Sequence, residues 1–170
     1  MSPPMSPTAA TPETIDKLWS MMKDTQFAML TTEDAGKLRA RPMAASQKAF
    51  TGTLWFFTRA SSHKVAEVGL DQHVGVTYAD PSQQNYVSLS GTAALVADKP
   101  SIQQHWTEAM RTWFPKGIDD PEVALLKIEV TAAEYWDAPN SIMVHAFGYV
   151  KAVLTGEPPH PGENKKVTFP

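Results

Sequence analysis

The chain has 170 residues, a net charge of −3, a pI near 5.9 and no cysteine. This length suits one domain able to bury about two thirds of its unfolded surface, and the lack of thiols excludes disulfides, a cysteine nucleophile and Cys-ligated zinc or iron–sulfur clusters. Mild acidity speaks against nucleic acid as the main partner, and with no apolar run long enough to span a bilayer the chain reads as soluble and cytoplasmic.

Residues 1 to 10 are mostly Pro, Ser, Thr and Ala, which predicts a disordered lead, and the Pro/Gly/Lys-rich stretch from 156 to 170 predicts a flexible tail. The domain then spans 11 to 155. Thr11 is placed to cap a helix with Pro12 at its first position and an apolar stripe of Ile15, Leu18, Trp19 and Met22. Strands follow over Phe27 to Thr31 and Leu38 to Ser46, joined by the turn Glu33 to Gly36. Leu54 to Thr58 is a third strand, and a short helix runs from about His63 to Leu70.

Val74 to Tyr78 reads as a strand closed by the turn Ala79-Asp-Pro-Ser82. Tyr86 to Val96 is a longer one, in which Gly91 predicts a bulge or a close backbone approach. A second amphipathic helix is expected from Ser101 to Trp113, with Ile102, Trp106, Ala109, Met110 and Trp113 on one side. The breaker-rich loop Phe114 to Pro121 leads to a strand over Leu125 to Tyr135, with a last strand within Ile142 to Leu154. Consecutive hairpins with few helices predict a mainly β fold with flanking helices, an antiparallel barrel.

The junction Leu54-Trp-Phe-Phe-Thr-Arg-Ala-Ser-Ser-His-Lys64 carries the strongest chemical signal. Ser61 and Ser62 are good N-cap residues, yet His63 and Lys64 put cations in the first turn of the helix, against its dipole. A phosphate would resolve that conflict by accepting bonds from free N–H groups, a hydroxyl and an ammonium together. An exposed helix start whose cations face water is the simpler alternative.

Arg39 and Arg41 alternate onto one face of their strand, which is either solvated or turned to an anion. Asp119 and Asp120, ahead of Glu122, read as the cap of a short helix. Histidines at 63, 73, 105, 145 and 160 share no ligand spacing, so no metal centre is expected. Dinucleotide, phosphate-loop and nucleophile-elbow motifs are absent from the sequence. Trp136, where a strand ends, suits a planar ligand or a partner chain.

Taken in order, Arg41-Pro-Met43, Phe56-Phe-Thr58, Ser62-His-Lys64, Val74 to Pro81, Tyr86 to Ala93 and Ala133 to Asp137 resemble the FMN-binding split-barrel superfamily of pyridoxamine 5′-phosphate oxidase. The resemblance is closest to its general stress protein 26 branch. It implies an antiparallel split β-barrel and a homodimer with two FMN molecules in clefts between subunits. Ser62 and Lys64 would hold the FMN phosphate, with His63 where the oxidase has Arg and with Arg41 adding charge near the phosphate or ribityl chain. The backbone of Pro42, Met43 and Ala44 would edge the isoalloxazine, and Phe57 and Thr58 would line it. Tyr86 and Trp136 would come from the second subunit.

The same resemblance marks a departure. The oxidase follows its Trp with Arg and His that grip the substrate phosphate, whereas here Trp136 leads into Asp-Ala-Pro-Asn-Ser-Ile-Met-Val-His145, and no arginine follows Arg111. Oxidation of pyridoxamine phosphate is therefore not expected. The reading that remains is an FMN-binding general-stress-type protein that acts as a low-specificity flavin oxidoreductase on a nicotinamide or another small molecule. A non-catalytic flavin-sequestering protein is the alternative. Haem or a deazaflavin in the same barrel is a third, with His63 or His145 as the axial ligand that haem would need. Whether Trp113 and Phe114 cover the ligand or only pack the core is open at this stage.

Overall fold

A computed structural model describes residues 6–45, 47–137 and 162–170. It is mainly β with three helices: β1 (Thr8–Ala9), α1 (Pro12–Met22), β2 (Phe27–Asp34), β3 (Lys37–Ala44), β4 (Thr53–Arg59), α2 (His63–Leu70), β5 (His73–Asp80), β6 (Asn85–Val96), α3 (Lys99–His105), a 3₁₀ turn at Glu108–Thr112, β7 (Val123–Asp137) and β8 (Glu163–Thr168). The ladder order is β1-β8-β7-β6-β5-β2-β3, with β4 paired to the first part of β7, residues 123–129, on the edge that β8 takes over at 132–137. Among the described residues β3 and β4 share no ladder, so the sheet is open between them. The site described below lies at that opening.

Local chemistry explains the elements. Thr11 caps α1 in a capping box with Thr14, Pro12 takes the first turn, and Leu18 and Met22 are sealed in the core as the stripe predicts. Ala35 and Gly36 both have positive φ, 51° and 82°, which is the backbone of a two-residue hairpin turn matched to strand twist. The register of β6 on β7 shifts between Ser90 and Gly91. A Cβ on Gly91 would sit 2.3 Å from the Glu129 carbonyl oxygen, so this bulge admits only glycine.

β4 is packed on both faces, fully on one and partly on the other. Leu54, Phe56 and Thr58 alternate inward, the first two into the main core, while Trp55 and Phe57 face a second cluster formed by Ile102, Phe114, Val123 and Leu125. That two-sided packing accounts for the aromatic run in this strand.

Several expectations are corrected. The helix expected from Ser101 to Trp113 is two pieces, because α3 starts earlier on an Asp98 cap and ends where Trp106 turns extended (φ −63°, ψ 138°). Trp106 packs edge-on to Phe57 at 5.7 Å, and the chain resumes as the 3₁₀ turn, so the second cluster overrides helix continuation. Asp120 caps no helix; it accepts the Glu122 N–H at 3.0 Å in a turn. Part of the stretch read as flexible tail is β8, antiparallel to the end of β7 with Val167 fully buried, and part of the lead is β1, parallel to β8. The strand expected within Ile142 to Leu154 lies outside the described residues.

Candidate functional site

The end of β4 and the start of α2 place three polar side chains in a row. Thr58, on the inward face of β4, is buried, and its hydroxyl lies 3.1 Å from that of Ser62. Ser62 occupies the N-cap position of α2, but its side chain makes no capping bond. It is thereby free to accept, with Thr58, the ammonium of Lys64, which donates to Thr58 Oγ1 at 3.2 Å and to Ser62 Oγ at 3.3 Å. Lys64 is half-buried and, among the described residues, has these hydroxyls and no carboxylate as partners. Burial first, and then the proximity of Arg41, push its amine below the ordinary lysine value, and the more distant Glu67 carboxylate offsets this only in part.

Arg41 is treated differently. Its guanidinium donates to Thr32 at 2.6 Å and to Glu67 Oε2 at 2.7 Å, and Thr32 donates to the same carboxylate oxygen. Glu67 is 2 % exposed, and burial alone would raise its pKa; the Thr32 bond and Arg41 outweigh that and hold it below the ordinary value. His63 Nε2 lies 3.3 Å from Glu67 Oε1 and 3.5 Å from Asp34 Oδ2, and Arg39 pairs with Asp34 at 3.0 Å.

The carboxylates of Asp34 and Glu67 and the ring of His63 thus bring one ligand atom each within 4.8 Å of one another. Both carboxylates already hold arginines and Lys64 stands alongside, so this trio is an ion-pair network in cationic surroundings that favour an anion over a metal ion.

Two hollows meet here. One, of about 330 Å³, is lined by Arg39, Arg41, Pro42, His63, Lys64 and Glu67. The other, of about 420 Å³, shares Pro42 and Lys64 and runs inward between Met43, Ala44, Phe57 and Thr58 to a wall of Met110, Trp113 and Phe114. Together they form a cationic mouth beside a largely apolar chamber whose lining also includes Lys64 and Arg59.

Of the residues picked out from the sequence, Pro42, Met43, Ala44, Phe57, Thr58 and Lys64 line the chamber, Arg41 and His63 line the mouth, and Ser62 bonds to the lining. Tyr86 and Trp136 line neither hollow. They face each other across β6 and β7 and are 40 % and 37 % exposed. Residues not foreseen are Thr32, Asp34 and Glu67 in the network and Phe27, Arg59, Met110 and Thr112 around the chamber. The one available signal was Glu67 itself, a carboxylate on the same helical stripe as His63 and Lys64. Of the two residues left open, both line the chamber, but Phe114 belongs to the second core at 3 % exposure, whereas Trp113 is 52 % exposed.

This architecture meets its counterpart in sequence. The family model described as "Pyridoxamine 5'-phosphate oxidase like" matches residues 13–160. The chain belongs to that family. Within it, the general stress protein 26 branch is the fit: the crystal structure of a general stress protein 26 from Jannaschia sp. CCS1 is 27 % identical and covers 94 % of this chain and 100 % of its own, with a TM-score of 0.75. The general stress FMN/FAD binding protein from Xanthomonas citri is 26 % identical, covers 78 % of this chain and 94 % of its own, and has a TM-score of 0.69. Protein bli-3 of Neurospora crassa is 28 % identical over 155 residues, covering 85 % of this chain and 74 % of its own.

Proposed function

We propose that this family member binds FMN across the two hollows, as a homodimer in which a second copy contributes Tyr86 and Trp136. The observation that carries the reading is Lys64, a half-buried ammonium between two hydroxyls with no carboxylate of its own at the joint of a cationic mouth and a largely apolar chamber. A dianionic phosphate supplies the missing partner, with Ser62 and the start of α2 as further donors and Arg41 and His63 at the mouth. The flat ring then lies against Pro42, Met43, Ala44, Phe57 and Thr58. The fit is one of charge and shape: Arg39, Arg41, His63 and Lys64 border one hollow, and the other is lined mostly by apolar and aromatic side chains, with Arg59 held against Phe114 and the Trp113 carbonyl.

FMN, when bound, supplies hydride and single-electron transfer. The chain's part is to hold the phosphate, orient the ring and exclude water from the chamber. A nicotinamide or another small molecule is the proposed donor in the reductase reading. Among the described residues the chamber lining holds no carboxylate or histidine, and its one titratable amine, Lys64, is assigned to the phosphate, which favours the second reading, a flavin-binding protein without turnover.

Titration of the purified protein with FMN, followed by anaerobic addition of NADH or NADPH, tests both. Saturable binding at one FMN per chain supports the site. Rapid, saturable bleaching of the bound flavin supports the reductase and slow, unsaturable bleaching the binder, while a protein that ignores FMN removes the proposal.

A further inference from the structure

The chamber has one wall that the sheet does not require. Trp113 follows the 3₁₀ turn, and its large side chain is 52 % exposed although it borders a cavity. Its neighbour Phe114 is sealed in the second core, so packing in this segment is already satisfied without Trp113. The backbone at Trp113 is nevertheless fixed. Its N–H donates to the Met110 carbonyl at 3.0 Å, and its carbonyl accepts from Arg59 Nη2 at 3.1 Å. Phe27 at the start of β2 lines the same chamber and is also exposed, at 47 %. Two exposed aromatics from different elements, one on a pinned backbone, thus line the chamber that Lys64 also lines.

We infer that Trp113 is the ring-recognition residue of this site: it provides the aromatic surface for the planar end of a phosphate-bearing ligand, so that Lys64 reads the anion and Trp113 reads the ring. The inference rests on the FMN reading and adds a specificity element to it. The division of labour predicts that the two residues fail in different ways. Removal of Lys64 weakens every phosphate-bearing ligand, and removal of Trp113 weakens only those that carry a ring.

The test measures FMN affinity of the full chain, together with the concentration of inorganic phosphate needed to displace FMN, in wild type, Lys64→Ala, Trp113→Ala, Trp113→Leu and Trp113→Phe, each checked for size by gel filtration. Loss of an aromatic stacking surface corresponds to about a tenfold rise in FMN dissociation constant. Trp113→Ala and Trp113→Leu are expected to show that rise with an unchanged intrinsic affinity for phosphate, whereas Trp113→Phe recovers most of the FMN affinity. Trp113→Leu keeps apolar bulk, so the test survives if the alanine variant does not fold. Wild-type FMN affinity in folded Trp113→Leu overturns the inference, as does an equal loss of FMN and phosphate affinity. A changed oligomeric state with FMN affinity intact overturns it too and makes Trp113 an interface residue. Wild type that binds no FMN removes the underlying reading along with it, an outcome distinct from the other three.

Discussion

Arg41 and Lys64 border the same mouth from neighbouring elements, and the fold treats them in opposite ways. Arg41 is bonded to Thr32 and to a buried carboxylate, so its charge is answered within the chain. Lys64 is half-buried, bonded only to hydroxyls, and made less basic by its surroundings. A cation bonded to a buried carboxylate is part of the architecture, whereas one bonded only to hydroxyls keeps more of its capacity to pair with an anion, which is what the proposed phosphate site uses. The Glu67 network is therefore expected to govern stability, and the Lys64 cradle to govern binding.

The sharpest way to break this contrast is Glu67→Ala. It strands the Arg41 guanidinium, 18 % exposed, and the Thr32 hydroxyl without their shared acceptor, and loss of one partner of a buried ion pair costs about 3 kcal/mol. Urea unfolding should show that loss. A variant as stable as wild type would mean that Arg41 is not neutralised by Glu67 at all.

Lys64→Ala is the mirror experiment. Folding disfavours the charged amine, so the melting midpoint should hold or rise, while FMN affinity falls by about 1.5 to 3 kcal/mol, the scale of a charge-assisted hydrogen bond. Calorimetric titration checks the second figure. Unchanged affinity in a folded variant would remove the phosphate assignment.

How much of this contrast was legible beforehand differs between its halves. The cradle was readable because strand end, cap and cations are contiguous from Phe57 to Lys64, so local periodicity alone put them together. The chamber was half readable: Pro42 to Ala44 came through the family resemblance, but Trp113 and Phe27 reach it from elements whose packing no local pattern specifies. Glu67 was missed because a Glu in a short helix ordinarily faces water; only the tertiary approach of β2 and β3 shows that it is buried. The break at Trp106 was missed for a related reason, since helical spacing of Ile102, Trp106, Met110 and Trp113 is real in sequence but is used by two different segments. β8 was hidden by a charged, Pro-flanked composition whose one deeply buried side chain is Val167.

Acid offers a milder probe of the network half. The Glu67 carboxyl titrates lower in the folded chain than in the unfolded one, so the stability it lends is complete above the ordinary glutamate value of 4.5 and is lost as pH falls through the depressed folded value. The stability gap between wild type and Glu67→Gln should therefore be constant near neutrality and shrink below that value. A gap that shrinks on approaching neutral pH from below would give Glu67 a raised pKa and make burial, not Arg41, its dominant neighbour.

The smallest effect is expected at Arg39→Ala, and its smallness is what the comparison requires. Arg39 lies on the same face as Arg41 and pairs with Asp34 at 3.0 Å, yet its side chain is 54 % exposed and its approach to Glu67 is only 3.9 Å. In water the pair gains little, loses side-chain freedom and is screened at about 0.15 M salt. Its removal should leave the melting midpoint within error at that ionic strength, and any change should appear only as salt is lowered. Arg41 and Thr32 would keep their bonds to Glu67 Oε2, so the buried carboxylate is not stranded. If Arg39→Ala destabilised the protein as much as Glu67→Ala, the network would be organised around its exposed arginine, and the distinction between an internally satisfied Arg41 and a ligand-seeking Lys64 would lose its physical basis.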